Sequence, residues 1–179
     1  EGSVIVGGTN NSTISGYYPG PSFTNTFIGG GSNNKIEGWG GAFLGGGYLN
    51  TISGAYYNTI VGGQSNKITG GYSFIGGGCN NTVSGYNSSI VGGTLNTASA
   101  ACSFIGGGEK NCILSTHPHA FIIGSNLTST AACTTFMNSV CIADKIDLGA
   151  FTSTSYSSGL TAINPIQNFY PSNGPGSDT

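Results

Sequence analysis

His117 and His119 flank a proline, a short way after Cys112. A thiol near an imidazole is the pair that nucleophilic catalysis uses, and two imidazoles one residue apart can reach one metal ion. Neither arrangement is completed here: no further spaced ligand follows, and nothing orients a base. Asp144 and Asp147 are the other pair worth weighing, since two carboxylates can serve as acid and base in glycoside cleavage. Three residues apart near a Gly-rich end, they read better as solvated turn residues. No Gly precedes a Lys, so the phosphate-binding Gly-Lys-Ser/Thr loop is missing. Asp is too sparse for calcium-binding nonapeptide repeats. The chain is therefore read as neither an enzyme nor a holder of metal or cofactor.

Asn-x-Ser/Thr sequons occur at Asn10, Asn11, Asn80, Asn87 and Asn126. They matter only on a glycosylating secretory route. Asn10, Asn80 and Asn87 are the candidates for accessible glycosylation. The five cysteines, Cys79, Cys102, Cys112, Cys133 and Cys141, are an odd count with no CxxC spacing. One or two disulfides toward the C-terminal end and buried free thiols are both open readings.

Composition narrows the partners. There is no Arg, and Lys occurs only at Lys35, Lys67, Lys110 and Lys145. Phosphate neutralisation needs a basic patch, so nucleic acid is not expected as a partner. No apolar run is long enough to insert into a membrane as a helix. The start at Glu1, with neither Met nor a signal-peptide pattern, suggests a processed chain or a fragment.

What must position any site is a repeat. Ile60, Ile75, Ile90 and Ile105 are fifteen apart, and so are Asn66, Asn81, Asn96 and Asn111. The asparagine series extends to Asn11, Asn34, Asn50 and Asn126, with the Asn11 line one residue out of step at Ile14 and Gly16. Fifteen residues are too few for two packed helices, and each Gly inside a helix costs about 1 kcal/mol. Two short strands joined by Gly-rich corners do fit. The reading is an all-β parallel β-solenoid of about eight coils of fifteen to sixteen residues over 1–149. Stacking in register puts like residues in columns: the Ile60 and Ile68 registers inward, Asn34, Asn50, Asn66, Asn81, Asn96, Asn111 and Asn126 as an amide ladder, and glycines at corners that need positive φ.

One column points the other way. The residue before each anchor is Phe27, Phe43, Thr59, Phe74, Ser89, Phe104 or Phe121, and in a strand it faces away from the buried Ile. Five outward phenylalanines predict an interface with another chain. Residues 15–26, punctuated by Gly and Pro, form a loop leaving the stack and carry Tyr17 and Tyr18. Tyr56, Tyr57, Tyr72 and Tyr86 recur after the Gly turns and, with the loop, are the candidate contact residues for a ligand. Residues 150–179 read as an irregular Ser/Thr/Pro/Gly-rich tail.

The Ser-Phe-Ile-Gly-Gly-Gly lines at 73–78 and 103–108, with Asn-Thr-Val-Ser-Gly at 81–85, resemble the head repeats of trimeric autotransporter adhesins. Gly/Asn repeats of phage and large-virus fibres are similar. The resemblance covers about residues 4–128. The family repeat is slightly shorter and carries Ala where this chain has a second Gly. It implies a left-handed β-roll assembled as a homotrimer, displayed outside the cell on a cell or virion surface. The expected role is a rigid structural or adhesive fibre module whose partners are its own copies and a host-surface glycan or protein. The alternative is ice binding, because Thr51-Ile-Ser53, Lys67-Ile-Thr69, Thr82-Val-Ser84 and Thr97-Ala-Ser99 resemble the Thr-x-Thr rows of antifreeze solenoids.

Overall fold

The computed structural model describes residues 2–15, 25–38, 40–54 and 56–139, which lie within one compact unit, Glu1–Cys141. Most of the expected loop at 15–26, with Tyr17 and Tyr18, and the whole tail from 150 fall outside the described residues. The described residues are all strand, turn and corner, with no helix.

Each turn of the chain lays down two strands of two to four residues. One set stacks into a parallel sheet of nine strands, from Val4–Ile5 to Thr135–Met137. The other stacks into a parallel sheet of seven, from Ser12–Ser15 to Cys112–Ile113. Pairing is in register, so Ile60 meets Ile75, which meets Ile90, which meets Ile105. On the second sheet Ile52 meets Ile68 and Ile68 meets Val83. Both columns are buried and share one core, closed by Ile28, Leu44, Ile36, Ile113 and Ile122. Burying each such side chain contributes about 2 kcal/mol. The architecture is a parallel β-solenoid of about seven turns rather than eight, since the second sheet shrinks to a single bridge, Cys112 to Thr128, after its seventh strand.

The asparagine ladder holds one corner. The backbone N–H of Asn81 donates to Asn66 Oδ1 (3.0 Å), and the N–H of Asn96 donates to Asn81 Oδ1 (3.0 Å). Asn81 Nδ2 donates to Gly77 O (3.0 Å) in its own turn and to Gly93 O (2.8 Å) in the next. Each fully buried amide thus satisfies backbone groups that a tight corner would orphan. Asn81→Ala strands the Asn96 N–H and the Gly77 carbonyl. A loss of roughly 1–3 kcal/mol for each group left unpaired is expected, read from urea denaturation.

Two registers differ from the sequence expectation. Asn126 is not a ladder residue. The N–H of Leu127 takes the bond to Asn111 Oδ1 (3.1 Å), and Asn126 sits one position earlier, exposed at φ 57°. Two changes of corner length explain the slip. Ala98 to Ile105 spans seven residues while Ile113 to Ile122 spans nine, and Ile105 to Asn111 spans six while Ile122 to Leu127 spans five. The fifteen-residue step from Asn111 to Asn126 therefore joins two different columns. At the other end Asn11 is in step: Thr13 pairs with Ile36 in the inward column, and Ile14 pairs with Glu37 and is exposed.

The second corner has a ladder of its own. Asn58, Ser73, Ser88 and Ser103 are buried one above another. Asn58 Nδ2 donates to Gly70 O (2.8 Å) and its Oδ1 accepts the Ser73 N–H (2.9 Å). The Ser88 and Ser103 N–H groups reach the hydroxyls of Ser73 (3.4 Å) and Ser88 (3.1 Å) in turn. Cys79, Cys102, Cys112 and Cys133 are free thiols, so no disulfide forms among the described residues.

Candidate functional site

Outside the core, the described residues offer a face on each sheet, a glycine corner with exposed Tyr48, Leu49 and Leu95, and the tyrosine corner. The first sheet turns its phenylalanines outward. Phe43, Phe74 and Phe121 are exposed, and Phe27 and Phe104 are partly covered. Phe27 and Phe43 stack at 5.2 Å with planes 4° apart, and Phe104 and Phe121 lie 5.9 Å apart. Each ring lies down along its own strand. A Cβ built on Gly29, Gly45 or Gly76 would stand 3.3 Å from Cε1 of Phe27, Phe43 or Phe74. Where the first position is Thr59 or Ser89 the third is not glycine but Val61 or Val91, both exposed. From Phe43 to Phe104 the turns therefore alternate, a phenylalanine over a glycine and then a small hydroxyl beside a valine. Each of these turns presents one large apolar group, and toward each end one turn presents two, Val4 with Val6 and Phe121 with Ile123, so the face runs the length of the sheet.

The second sheet turns out hydroxyls. Thr51, Thr82 and Thr97 occupy one outward column, and Ser53, Thr69, Ser84 and Ser99 the neighbouring one. Lys67, Cys112 and Leu114 interrupt these columns, as do Lys35 and Glu37, which form an ion pair at 2.6 Å.

The four sequence-predicted tyrosines of the repeat come together at the second corner. Ring centroids are 5.5 Å apart for Tyr57–Tyr72 and for Tyr72–Tyr86, 6.3 Å for Tyr56–Tyr57 and 6.5 Å for Tyr56–Tyr72. All four are exposed, from 41% at Tyr56 to 63% at Tyr57. Glycine at 71 makes the cluster possible, because a Cβ there would stand 2.7 Å from Cζ of Tyr86, whose ring crosses that backbone. Tyr57 and Tyr72 have φ of 55° and 54°. A left-handed conformation costs a bulky residue about 1–2 kcal/mol, and Asn or Gly would hold it at lower cost. Asn87 does hold the equivalent position one turn on. Leu49, Leu95, Cys102, Lys110 and His119 adopt the same φ, so the conformation belongs to the corner register and does not by itself single out the tyrosines.

The other candidates separate. His119 and Cys102 share the column of Tyr72, each at positive φ, while Cys112 lies on the hydroxyl face. His117 Nδ1 is 2.8 Å from Ser129 Oγ, whose residue is buried and also receives the Leu114 N–H. No group of three or more His, Cys, Asp or Glu able to hold a metal occurs among the described residues. Asp144 and Asp147 lie outside them. Asn10, Asn80 and Asn87 are exposed corner residues at positive φ, and Asn126 joins them, a correction to its expected place in the ladder.

The serine ladder escaped sequence reasoning. Its signal was the fifteen-residue spacing of Asn58, Ser73, Ser88 and Ser103, hidden by the abundance of serine. No protein-family model matches this chain, and no curated protein matches it in sequence.

Proposed function

We propose that this chain is a structural or adhesive module of an extracellular fibre, on a cell or virion surface, acting as a rigid homo-oligomeric rod without catalytic activity. The observation that carries the reading is the apolar face of Phe27, Phe43, Val61, Phe74, Val91, Phe104 and Phe121. Six spacings of about 4.8 Å between these seven strands make it roughly 29 Å long. A continuous exposed apolar stripe of that length marks a contact surface. Closed symmetry lets the same stripe serve every copy, and a threefold arrangement of the β-roll kind is the favoured assembly. The tyrosine corner stays outside such an interface and is the surface offered to a host glycan or protein, because rigid aromatic rings give contact area at low entropic cost. Sedimentation of the purified chain tests the assembly: a trimer or longer filament is expected, and a monomer at micromolar concentration overturns it.

A second reading rests on the hydroxyl face. Three turns bear Thr51 with Ser53, Thr82 with Ser84 and Thr97 with Ser99, an array able to order water as an ice-binding plane does, with the Lys67 and Thr69 turn between the first and second. Charged Lys35, Glu37 and Lys67 break its flatness. Thermal hysteresis decides between the two: none is expected of a fibre module, and a clear freezing-point gap would transfer the function to this face.

A further inference from the structure

We propose that the tyrosine corner is an oxidative cross-linking site, at which Tyr72 couples through a ring carbon–carbon bond to Tyr57 or Tyr86 with a peroxide as oxidant. The inference does not depend on the fibre reading. It rests on the juxtaposition of exposed phenols on successive turns of a rigid stack. Tyr72 is the centre, with ring contacts to Tyr56, Tyr57 and Tyr86. Its two closest neighbours stand at 5.5 Å, near enough for ring edges to meet after a small rotation. Fixed proximity replaces an encounter between two dilute radicals with an intramolecular step.

The chemistry balances. Each phenol gives up one electron and one proton, leaving a phenoxyl radical with spin on the ring carbons beside the oxygen. Two radicals join at those carbons, and the hydrogens there move to the oxygens as the rings regain aromaticity. The two electrons and two protons reduce one hydrogen peroxide to two waters. The link would tie turn to turn, closing a chain loop of fifteen residues from Tyr57 to Tyr72 or fourteen from Tyr72 to Tyr86. Such closure restricts the unfolded chain as a disulfide does. The described cysteines supply no bond of that kind.

The test treats the intact protein, as a mixture of isotope-labelled and unlabelled chains, with hydrogen peroxide and a peroxidase. Dityrosine fluorescence, a mass loss of two hydrogen atoms and the identity of the linked peptides are read. The expected product joins Tyr72 to Tyr57 or Tyr86 with both peptides carrying the same label, and its denaturation midpoint rises. Tyr72→Phe keeps the ring and should lose that pair. Tyr48→Phe, on the opposite corner, should keep it. Mixed-label pairs only, a linkage that survives Tyr72→Phe, or no linkage at all would overturn the proposal. Peptide mapping of the unsubstituted chain decides by itself should the variant fold poorly.

Discussion

Gly78→Ala is expected to abolish folding or to destabilise the chain by more than about 4 kcal/mol, a magnitude reserved for changes the backbone cannot absorb. Gly78 has φ 86°, and a Cβ there would overlap the carbonyl oxygen of Gly93 in the next turn and stand 2.8 Å from Asn81 Nδ2. Neither can yield. The carbonyl is held by the Cys79 N–H (3.0 Å) and the amide belongs to the ladder. Relief would require moving two turns apart and breaking their shared bonds. Gly92 is the control: it is also at the glycine corner, but a Cβ there meets nothing within 4 Å. Gly92→Ala should cost within about 1 kcal/mol, as ordinary substitutions do. Urea denaturation of both variants checks the contrast. Similar losses would mean that the corner is not held as described.

The second large effect is on association. If the chains associate through this face as proposed, replacing Phe74 and Phe104 together by Ser should give single chains and leave the circular dichroism of the turns unchanged. Both rings lie on the outer face and neither belongs to the buried core, so little folding free energy is at stake. What is lost is apolar area that a partner would cover, about 25 cal/mol per Å² at each contact and repeated in every copy. Sedimentation or light scattering reads the mass. An oligomer of unchanged mass would remove the phenylalanine face from the assembly. Precipitation of the unsubstituted chain on concentration, with a soluble double variant, would support it from the other side.

Much of this fold could be read in advance because stacking converts sequence period into space. Ile60, Ile75, Ile90 and Ile105 had to fall in one column once the fifteen-residue step was seen, and the inward or outward sense of Phe74 followed from strand alternation. The period failed where corner length changed. The corner after Ile113 gained two residues and the next lost one, so Asn126 matched the count and missed the column. Sequence alone has no ruler for such compensating changes. The tyrosine cluster was legible as a recurrence but not as a cluster, because Tyr56 and Tyr86 occupy a different column from Tyr57 and Tyr72. What gathers them is the bare backbone at Gly71, which lets the Tyr86 ring lie across the turn before it. Tyr17 and Tyr18 lie outside the described residues.

The alternation on the phenylalanine face gives the stretch from Phe43 to Phe104 a period of two turns. Each turn bonds only to its neighbours, so one turn can be inserted or removed without disturbing the cross-section elsewhere. The ladder and the core would accept a single turn. Between Phe43 and Phe104 the outer face would lose its alternation, because removing one turn places Phe43 next to Phe74, or Ser89 next to Thr59, as Phe27 already stands next to Phe43 and Phe104 next to Phe121 at the ends of that stretch. Only a pair of turns restores it. If copies associate through this face as proposed, one copy sliding along another between Phe43 and Phe104 should settle in steps of two turns, like a vernier with a coarse division.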